Sequence, residues 1–588
     1  MPTATDTIEG LVQSEYKYGF YTDVETESAP PDRQDARFSL LKRQPGSKVF
    51  TKFADVKSRP SWTPERRETL RRMWQRGDKT ADIAAALGCK VGAISVARRR
   101  FGLKPRSVVP GRPKEPDEPA HKIERVAFAT SRLMEFCTEK ELVAQTGHES
   151  YRWPLVIIKE LVDNGIDACE EASVAPVIKV TITTGKSKKP TRIVIEDNGP
   201  GIPAETIAGV IDYNIRVSSR EAYISPTRGR QGNALKTILP MAYVLGGKIK
   251  GETWIEARGV KHRILFAVNQ VRQEPVVKDI RAHSRVTTGT RVTVFWPSEI
   301  EDDDEYGWRE NDPAEVDADA IGDLLREFIW VNPHLTLRFT VDGKSRLHCK
   351  ASNPDWTKYL ARDSTSAHWY GLEQFERYAA ALIGRDQQKK RPKTGREKVT
   401  VREFIAQFRG MSATEKQKDV LRELGAAHLS LSRFFGSEMQ VNHQHMKKLL
   451  GLIRKQTRPV RPELLGVIGE EHLRRLSIDA GGEGQSFKYF LSPGFDANGL
   501  PHVVEIATCA FKQWVSGKGQ EPDRLLITGV NFSATLENPF ETFKGMEGME
   551  EILADRRAGT GAPIIVCVHY ASPHIEYLDR GKSRIGLE

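Results

Sequence analysis

The chain has 588 residues, of which 39% are hydrophobic and 28% charged, so it can fold into several domains with buried cores. The net charge of +11 favours polyanionic partners, although a basic surface without such a partner gives the same value. Six cysteines without a CxxC pair argue against a zinc site or a disulfide framework. No signal segment opens the sequence, and no apolar run approaches the roughly 20 residues of a membrane span, so we expect an intracellular protein outside the membrane.

The N-terminal part predicts a flexible arm over residues 1–57 and three short helices over residues 58–103. Thr63 and Pro64 form a good helix opening, and KTADIAAALG and KVGAISVARRRFGL have helical spacing. Three short helices joined by tight turns, the last rich in arginine, indicate a helix-turn-helix module. The segment resembles GcrA-type and Myb-like DNA-binding domains. A small protein-docking domain is the alternative.

The third of these helices carries the candidate DNA contacts. We expect Lys90, Ser95 and Arg98 to reach base edges. Arg99 and Arg100 are expected to contact phosphates, which orient a protein on DNA without reading its sequence.

A helical segment further along, LVIIKELVDNGIDACEEA, carries the first candidate chemistry. Glu160, Asn164, Asp167 and Glu171 have the spacing of one helix face. A carboxylate four residues before a carboxamide suits a general base beside an oxygen ligand for Mg²⁺. Taken alone, a polar helix face is usually only solvated.

Two glycine-containing signals follow this helix. Asp197 comes after a β-branched run and should end a strand, where its carboxylate can accept a hydrogen bond from an exocyclic amine such as that of adenine. Gly229 and Gly232 precede a helix with GxxG spacing, which offers N–H groups to phosphates. DNGPG is also an ordinary turn, and a lone GxxG is weak evidence. The order and combination of the three signals indicate a nucleotide site.

Together, ELVDNGIDA, EDNGPGIP and RGRQGNALKT resemble the motifs of the GHKL (Bergerat-fold) ATPases, which include gyrase B, MutL, histidine kinases and the topoisomerase VI B subunit. The resemblance implies that Glu160 activates the attacking water, Asn164 holds Mg²⁺ and Asp197 recognises adenine. It implies a lid at residues 229–236 and a GT pair ending in Thr290. The residues implied for ATP binding are Asn164, Asp167, Asp197, Gly199, Gly201, Ser219, Arg228, Gly229, Arg230, Gln231, Gly232, Asn233, Ala234, Lys236 and Thr290.

The resemblance to topoisomerase VI B extends beyond these motifs. SRLMEFCTEKELVAQTGHE resembles its N-terminal strap, and TVREFIAQF and MSATEKQKDVL resemble its helix-two-turns-helix insert. The alternating strands and helices from about Gly484 onward resemble its transducer domain. In that family a transducer lysine reaches the γ-phosphate, and Lys582 is the candidate for this catalytic role. Lys518 and Lys544 are alternatives, and an ordinary surface lysine is a further one.

We therefore expect a multidomain α/β protein with a GHKL α/β sandwich, a transducer-like α/β domain, a helix-two-turns-helix insert and an N-terminal three-helix module. The expected divisions are an arm (1–57), a helix-turn-helix (58–103), a linker (104–122), an ATPase domain with strap (123–342), a basic connecting segment (343–399), a helical insert (400–476) and a transducer-like domain (477–588).

The function that this resemblance implies is that of a topoisomerase VI B-like subunit in the cytoplasm, associated with a bacterial nucleoid. ATP and Mg²⁺ would bring two copies together as a homodimer. The dimer would gate DNA for a separate A-type DNA-cleaving subunit within a heterotetramer. The alternatives are a stand-alone DNA clamp of MutL or MORC type and a nucleotide-switched DNA-binding regulator.

Overall fold

The computed structural model describes residues 62–103, 137–185, 188–213, 222–228, 234–246, 251–269, 274–297, 317–360, 362–388, 399–437, 440–512, 523–541, 548–578 and 584–586. The expected arm and linker, Ser219, lid residues 229–233, Lys518, Lys544 and Lys582 lie outside these residues. The described chain divides into two compact units, one containing residues 62–103 and the other containing the described residues from 137 onward.

The small unit consists of three helices, α1 (Pro64–Arg76), α2 (Thr80–Ala86) and α3 (Val91–Arg100). The side chain of Thr63 accepts a hydrogen bond from the Arg66 backbone N–H, which caps α1. Gly77 ends that helix with a φ of 94°. Leu70, Ile83 and Ile94, one from each helix, are fully buried against one another.

The large unit is built around an eight-stranded sheet. Its strands are β1 (Val177–Thr184), β2 (Pro190–Glu196), β3 (Gly251–Ala257), β4 (Val260–Asn269), β5 (Glu274–His283), β6 (Thr290–Phe295), β7 (Thr336–Val341) and β8 (Lys344–Cys349). They lie in the order β5-β4-β3-β6-β2-β1-β7-β8, and every neighbouring pair is antiparallel except β1 and β7. Alternate residues such as Ile178, Val180 and Ile182 are fully buried, as expected for strands with one covered face.

Several helices complete this layer. They are α4 (Glu139–Thr146), α5 (Trp153–Glu171), α6 (Ala204–Ile211), α7 (Ala234–Leu245) and α8 (Ala318–Trp330). Helix α5 packs on β1 and β2, and α7 packs on β3. Ile157, Ile158 and Val162 on α5 are fully buried, so the opposite side of that helix carries its polar residues.

A helical region follows the first sheet. It contains α9 (Leu372–Gln388), α10 (Val401–Ile405), α11 (Thr414–Leu424), α12 (Leu431–Phe435), a short hairpin of β9 (Gly436–Ser437) and β10 (Gln440–Val441), and α13 (His443–Gln456). Buried aromatic rings, including those of Phe375, Phe404 and Phe408, pack edge-to-face and tilted at its centre. The assignment of this region as a helix-two-turns-helix insert stays a prediction.

A second sheet closes the large unit. After α14 (Glu470–Asp479) come β11 (Lys488–Phe495), β12 (Pro501–Ala510), β13 (Leu525–Val530), β14 (Ser533–Ala534), α15 (Met549–Asp555) and β15 (Ile564–Ala571). The strand order is β11-β12-β15-β13-β14. Helix α8 contacts β7 of the first sheet and also β13 and β14 of the second, so both sheets share one helix.

Within the described residues, no single helix is both long and apolar enough to cross a membrane. Helices α2 and α3 satisfy the length and composition criteria only as a pair that is bent by 93°.

Candidate functional site

A cavity of about 550 Å³ lies beside the polar face of α5. Glu160, Asn164, Asp167 and Glu171 all line it, as their helical spacing predicts. The opposite wall is largely apolar and can receive a flat ring. The apolar residues of that wall include Ile195, Ile202, Val210, Met241 and Val292.

Asp197 lies just beyond the end of β2 and faces the same cavity. Its Oδ1 accepts hydrogen bonds from the backbone N–H groups of Gly199, at 2.8 Å, and Thr290, at 3.1 Å. Burial raises the pKa of the Asp197 carboxyl, while these donors act in the opposite direction. A carboxylate held in this way has one oxygen committed to the backbone, and its other oxygen can accept from a ligand amine.

Two glycines allow the backbone to pass close to Asp197. Gly165 of α5 also lines the cavity, and a Cβ at that position would lie 3.2 Å from the Cβ of Asp197. Gly289 has a φ of +72°, and a Cβ there would lie 1.9 Å from the carbonyl oxygen of Asp197. The loop before β6 therefore needs glycine for both conformation and space.

We expect Gly289→Ala to displace the Asp197 backbone. A loss of about 1.4 kcal/mol or more in binding free energy would lower the affinity for ATP by about tenfold or more. Gly259→Ala is the matched control, because Gly259 has a φ of +78° but a Cβ added there would meet nothing within 4 Å. Both variants carry the positive-φ penalty, and only the first carries the clash. Titration calorimetry with ATP checks the difference, and equal affinities in the two variants would contradict this account of Gly289.

Arg228, implied for ATP binding, lines the cavity and is held there by carboxylates of α5. Its guanidinium is fully buried and donates to Asp167 at 2.6 Å and to both oxygens of Glu170 at 2.7 and 2.8 Å. Asn332 accepts a further hydrogen bond from it. The physical reason is charge pairing, because three carboxylates of α5, including Asp163, surround this position. Arg228 and Asp167 thus bind each other at the cavity wall.

Glu170 is the centre of this buried cluster. Besides Arg228, His334 lies 2.9 Å and Lys358 lies 3.2 Å from its carboxylate. Burial opposes ionisation, yet Arg228 and then Lys358 hold the pKa of Glu170 well below its usual range. The Glu170 carboxylate therefore stays ionised in the protein interior at neutral pH.

Lys236, implied for ATP binding, contacts the chain just after α6. Its ammonium donates to the carbonyl oxygen of Asp212 at 2.8 Å, whereas the neighbouring Leu235 and Thr237 line the cavity. Successive residues of a helix are turned by about 100°, so Lys236 and its neighbours on α7 cannot all face one side. The role that the resemblance implies for Lys236 stays a prediction.

Residues far along the chain complete the cavity, and the motifs did not identify them. The second sheet contributes Ser533, Ala534, Thr535 and Leu536, and Tyr577 follows that sheet. From the strap-like segment come Gln145, Thr146 and His148. Asn531, a residue that favours tight turns, was the available signal in the sequence for a hairpin at this edge.

The donors present suit Mg²⁺ bound together with phosphates. Among the described residues, no group of three or more His, Cys, Asp or Glu side chains could hold a metal ion alone. Mg²⁺ in nucleotide sites commonly takes one or two protein oxygens and completes its shell with phosphate and water. The amide oxygen of Asn164, on the cavity side of α5, fits that requirement.

The candidate DNA contacts on the small unit differ in exposure. Lys90, Ser95, Arg99 and Arg100 are exposed. Arg98 is half-buried, with its guanidinium carbon 5.5 Å from the centre of the Trp74 ring. The DNA contacts proposed for these five residues stay a prediction.

Comparison with known proteins gives three findings. Residues 151–300 match the family model of histidine kinase-, DNA gyrase B- and HSP90-like ATPases. The type 2 DNA topoisomerase 6 B subunit of Archaeoglobus fulgidus is 32% identical over 189 residues, which are 32% of this chain and 28% of that protein. Its counterpart in Pyrococcus abyssi is 38% identical over 92 residues, 16% of each chain.

The matches to these curated relatives span less than a third of the relatives' own length. Among solved structures, the 43K ATPase domain of Thermus thermophilus gyrase B in complex with an aminocoumarin aligns over 78% of this chain and 86% of that chain, with 13% identity and a TM-score of 0.30. The resemblance to GHKL ATPases and to topoisomerase VI B that the motifs indicated is confirmed by the family and sequence matches.

Proposed function

We propose that this chain, which carries a GHKL-type ATPase domain similar to that of topoisomerase VI B subunits, binds and hydrolyses Mg-ATP to control the passage of DNA through a protein dimer. The convergence of Glu160, Asn164 and Asp197 on one cavity supports this most directly. These residues come from a helix and from a strand end, and their chemistry matches base catalysis, metal binding and amine recognition.

Each side chain has a distinct task in this proposal. Asp197, held by two backbone N–H groups, would accept a hydrogen bond from the adenine amine. Asn164 would hold Mg²⁺, which supplies charge neutralisation at the phosphates. Glu160 would accept a proton from the water that attacks the γ-phosphate. Lys582 remains the proposed γ-phosphate contact, and Tyr577, which lines the cavity, lies five residues before it.

Two walls of the cavity come from different sheets, which supports a conformational use of the nucleotide. A ligand changes a conformational equilibrium only if it binds one state better. ATP contacting α5 and also residues 534–536 would stabilise the arrangement in which both sheets enclose it. We propose that this arrangement favours the homodimer, and that an A-type subunit in the same heterotetramer cuts the DNA.

Purification from the native host with a non-hydrolysable ATP analogue tests the proposed assembly. We expect magnesium-dependent ATP turnover by the protein alone and co-purification of a DNA-cleaving partner. Turnover with no such partner would favour a stand-alone DNA clamp. Binding of ATP without turnover would favour a nucleotide-switched regulator.

The small unit is proposed to recruit DNA. Residues 62–103 contain ten Lys and Arg against four Asp and Glu, and exposed Arg99 and Arg100 end α3. Deletion of residues 1–115 is expected to weaken DNA binding and to spare basal ATP turnover. Fluorescence anisotropy with labelled duplex and a coupled ATPase assay check the two halves of this prediction.

A charge-matched pair of variants locates the DNA contact. Replacing Arg99 and Arg100 with Ala should reduce the slope of log affinity against log salt by about two, because each phosphate contact contributes about 0.9. Replacing the exposed Arg71 and Arg72 of α1 removes the same charge from another helix. Equal losses in both pairs would mean that α3 has no special part in binding.

A further inference from the structure

The turn between β13 and β14 has an unusual backbone. Val530 pairs with Ser533, so Asn531 and Phe532 form a two-residue hairpin turn. Both have positive φ angles, 50° and 65°. Asn adopts this conformation readily, whereas a bulky residue such as Phe adopts it at a cost of about 1–3 kcal/mol. A bulky residue stays in this state only where its surroundings impose it.

The surroundings of Phe532 come mainly from the first sheet and its connections. Its carbonyl oxygen accepts from Arg228 Nε at 2.9 Å and from Asn332 Nδ2 at 3.0 Å. Its ring is fully buried and lies 5.0 Å from the Trp356 ring, centre to centre. The turn is therefore inserted into the ATPase part of the large unit.

The residue after the turn reaches the catalytic helix. Ser533 Oγ donates to Asp163 Oδ2 at 2.7 Å, and the same oxygen lies 3.0 Å from Lys159 Nζ. Burial lowers the pKa of Lys159, but the Asp163 carboxylate outweighs this and raises it, whereas burial raises the pKa of Asp163 itself. Lys159 and Asp163 are the neighbours of Glu160 and Asn164 in the sequence. Ser533 thus contacts α5 at the turn of helix that carries both proposed catalytic functions.

The other side of the turn is tied to the interior of the second sheet. The Phe532 N–H donates to His569 Nε2 at 3.2 Å, and His569 Nδ1 lies 3.3 Å from Glu505. Glu505 is fully buried and accepts from the backbone N–H groups of Ile468 and Gly469. Hydrogen bonds from Ser533 and from Phe532, its neighbour in the chain, therefore link α5 to the core of the second sheet.

We propose that Ser533 is a positioning residue for ATP hydrolysis: presented by the 531–532 turn, it holds Asp163, and with it the Glu160 face of α5, in the reactive arrangement only while the second sheet is seated against the first. This inference rests on the proposed ATPase function. The position of the second sheet and the rate of the chemical step are coupled through this contact.

The test is steady-state kinetics of Ser533→Ala in the full chain. We expect kcat to fall 10- to 100-fold, the range for losing a hydrogen bond to a charged group, with ATP affinity changed by less than about threefold. Ser533→Thr, which keeps the hydroxyl, should recover most of the rate. Ser486→Ala is the control, since Ser486 is a buried serine of the second-sheet region whose hydroxyl donates to the carbonyl of Glu483.

A double-mutant cycle with Asp163→Asn separates positioning from general destabilisation. If Ser533 acts through Asp163, the double variant should be no slower than Asp163→Asn alone. An unchanged kcat in Ser533→Ala, or losses that multiply in the double variant, would overturn the inference while the ATPase function stands. Absence of turnover in the unsubstituted protein would overturn the proposed function and this inference together.

Discussion

Glu160→Gln is expected to bind ATP normally and to hydrolyse it about 10²- to 10⁴-fold more slowly, the usual contribution of a positioned general base. Glutamine has nearly the same shape as glutamate but cannot accept a proton from water at neutral pH. Because hydrolysis would no longer release the nucleotide, the variant should accumulate as the ATP-bound dimer. Single-turnover kinetics, with analytical ultracentrifugation in the presence of ATP, measures both effects.

The control for this variant is Glu139→Gln on α4. Glu139 is an exposed glutamate of the same large unit, and it does not line the cavity. Its replacement should leave kcat and affinity within about twofold of the original values. Undiminished turnover in Glu160→Gln would exclude Glu160 as the base and would direct the search to the other carboxylates on the cavity face.

Arg228→Met is expected to destabilise the large unit by about 3–5 kcal/mol at neutral pH, the typical result of removing one partner from a buried ion pair. The arginine side chain is fully buried, and Asp167 and Glu170 both lie within 2.7 Å of its Nη1. Methionine fills much of the volume but leaves these carboxylates without their main counter-charge. Chemical denaturation measures the change in the free energy of unfolding.

The pH dependence distinguishes charge from packing in this variant. In the original protein the pKa of Glu170 is depressed, so its stabilisation is present above the unfolded value of 4.5 and is lost as the pH falls through the lower folded value. Without Arg228 the folded pKa should rise, and the variant should gain stability on acidification. The difference in the free energy of unfolding between the original protein and Arg228→Met should therefore narrow toward pH 4–5. Arg326→Met is the control, because Arg326 forms an exposed ion pair with Asp323 and its loss should lower the free energy of unfolding by less than about 1 kcal/mol. If the difference for Arg228→Met did not change with pH, lost packing alone would account for it.

Sequence periodicity is sufficient for the parts of the site that depend on local geometry. A helix turns about 100° per residue, so the spacing of Glu160, Asn164 and Asp167 places them on one side once α5 forms. The β-branched run before Asp197 likewise predicts a strand end. Period-two alternation in GETWIEARG, RILFAVNQV and GTRVTVFWP predicts β3, β4 and β6 in the same way.

The position of a residue in a motif does not determine which groups its long side chain contacts. Arg228 directly precedes the lid segment, and nothing in that position predicts its ion pairs with Glu170 and Asp167. The contact of Ser533 with Asp163 joins residues 370 positions apart, a separation that no local pattern encodes. Long-range partners of this kind depend on how two sheets pack, which a single sequence does not reveal.

The shared position of α8 bears on how the chain could be dissected. Buried side chains of both sheets, of α8 and of the helical region belong to one uninterrupted apolar interior. A fragment ending near residue 476 would expose to solvent the side of α8 that contacts β13 and β14. Such an exposed apolar surface favours aggregation. The boundary that family resemblance draws there therefore cuts through an apolar interior that both sheets share.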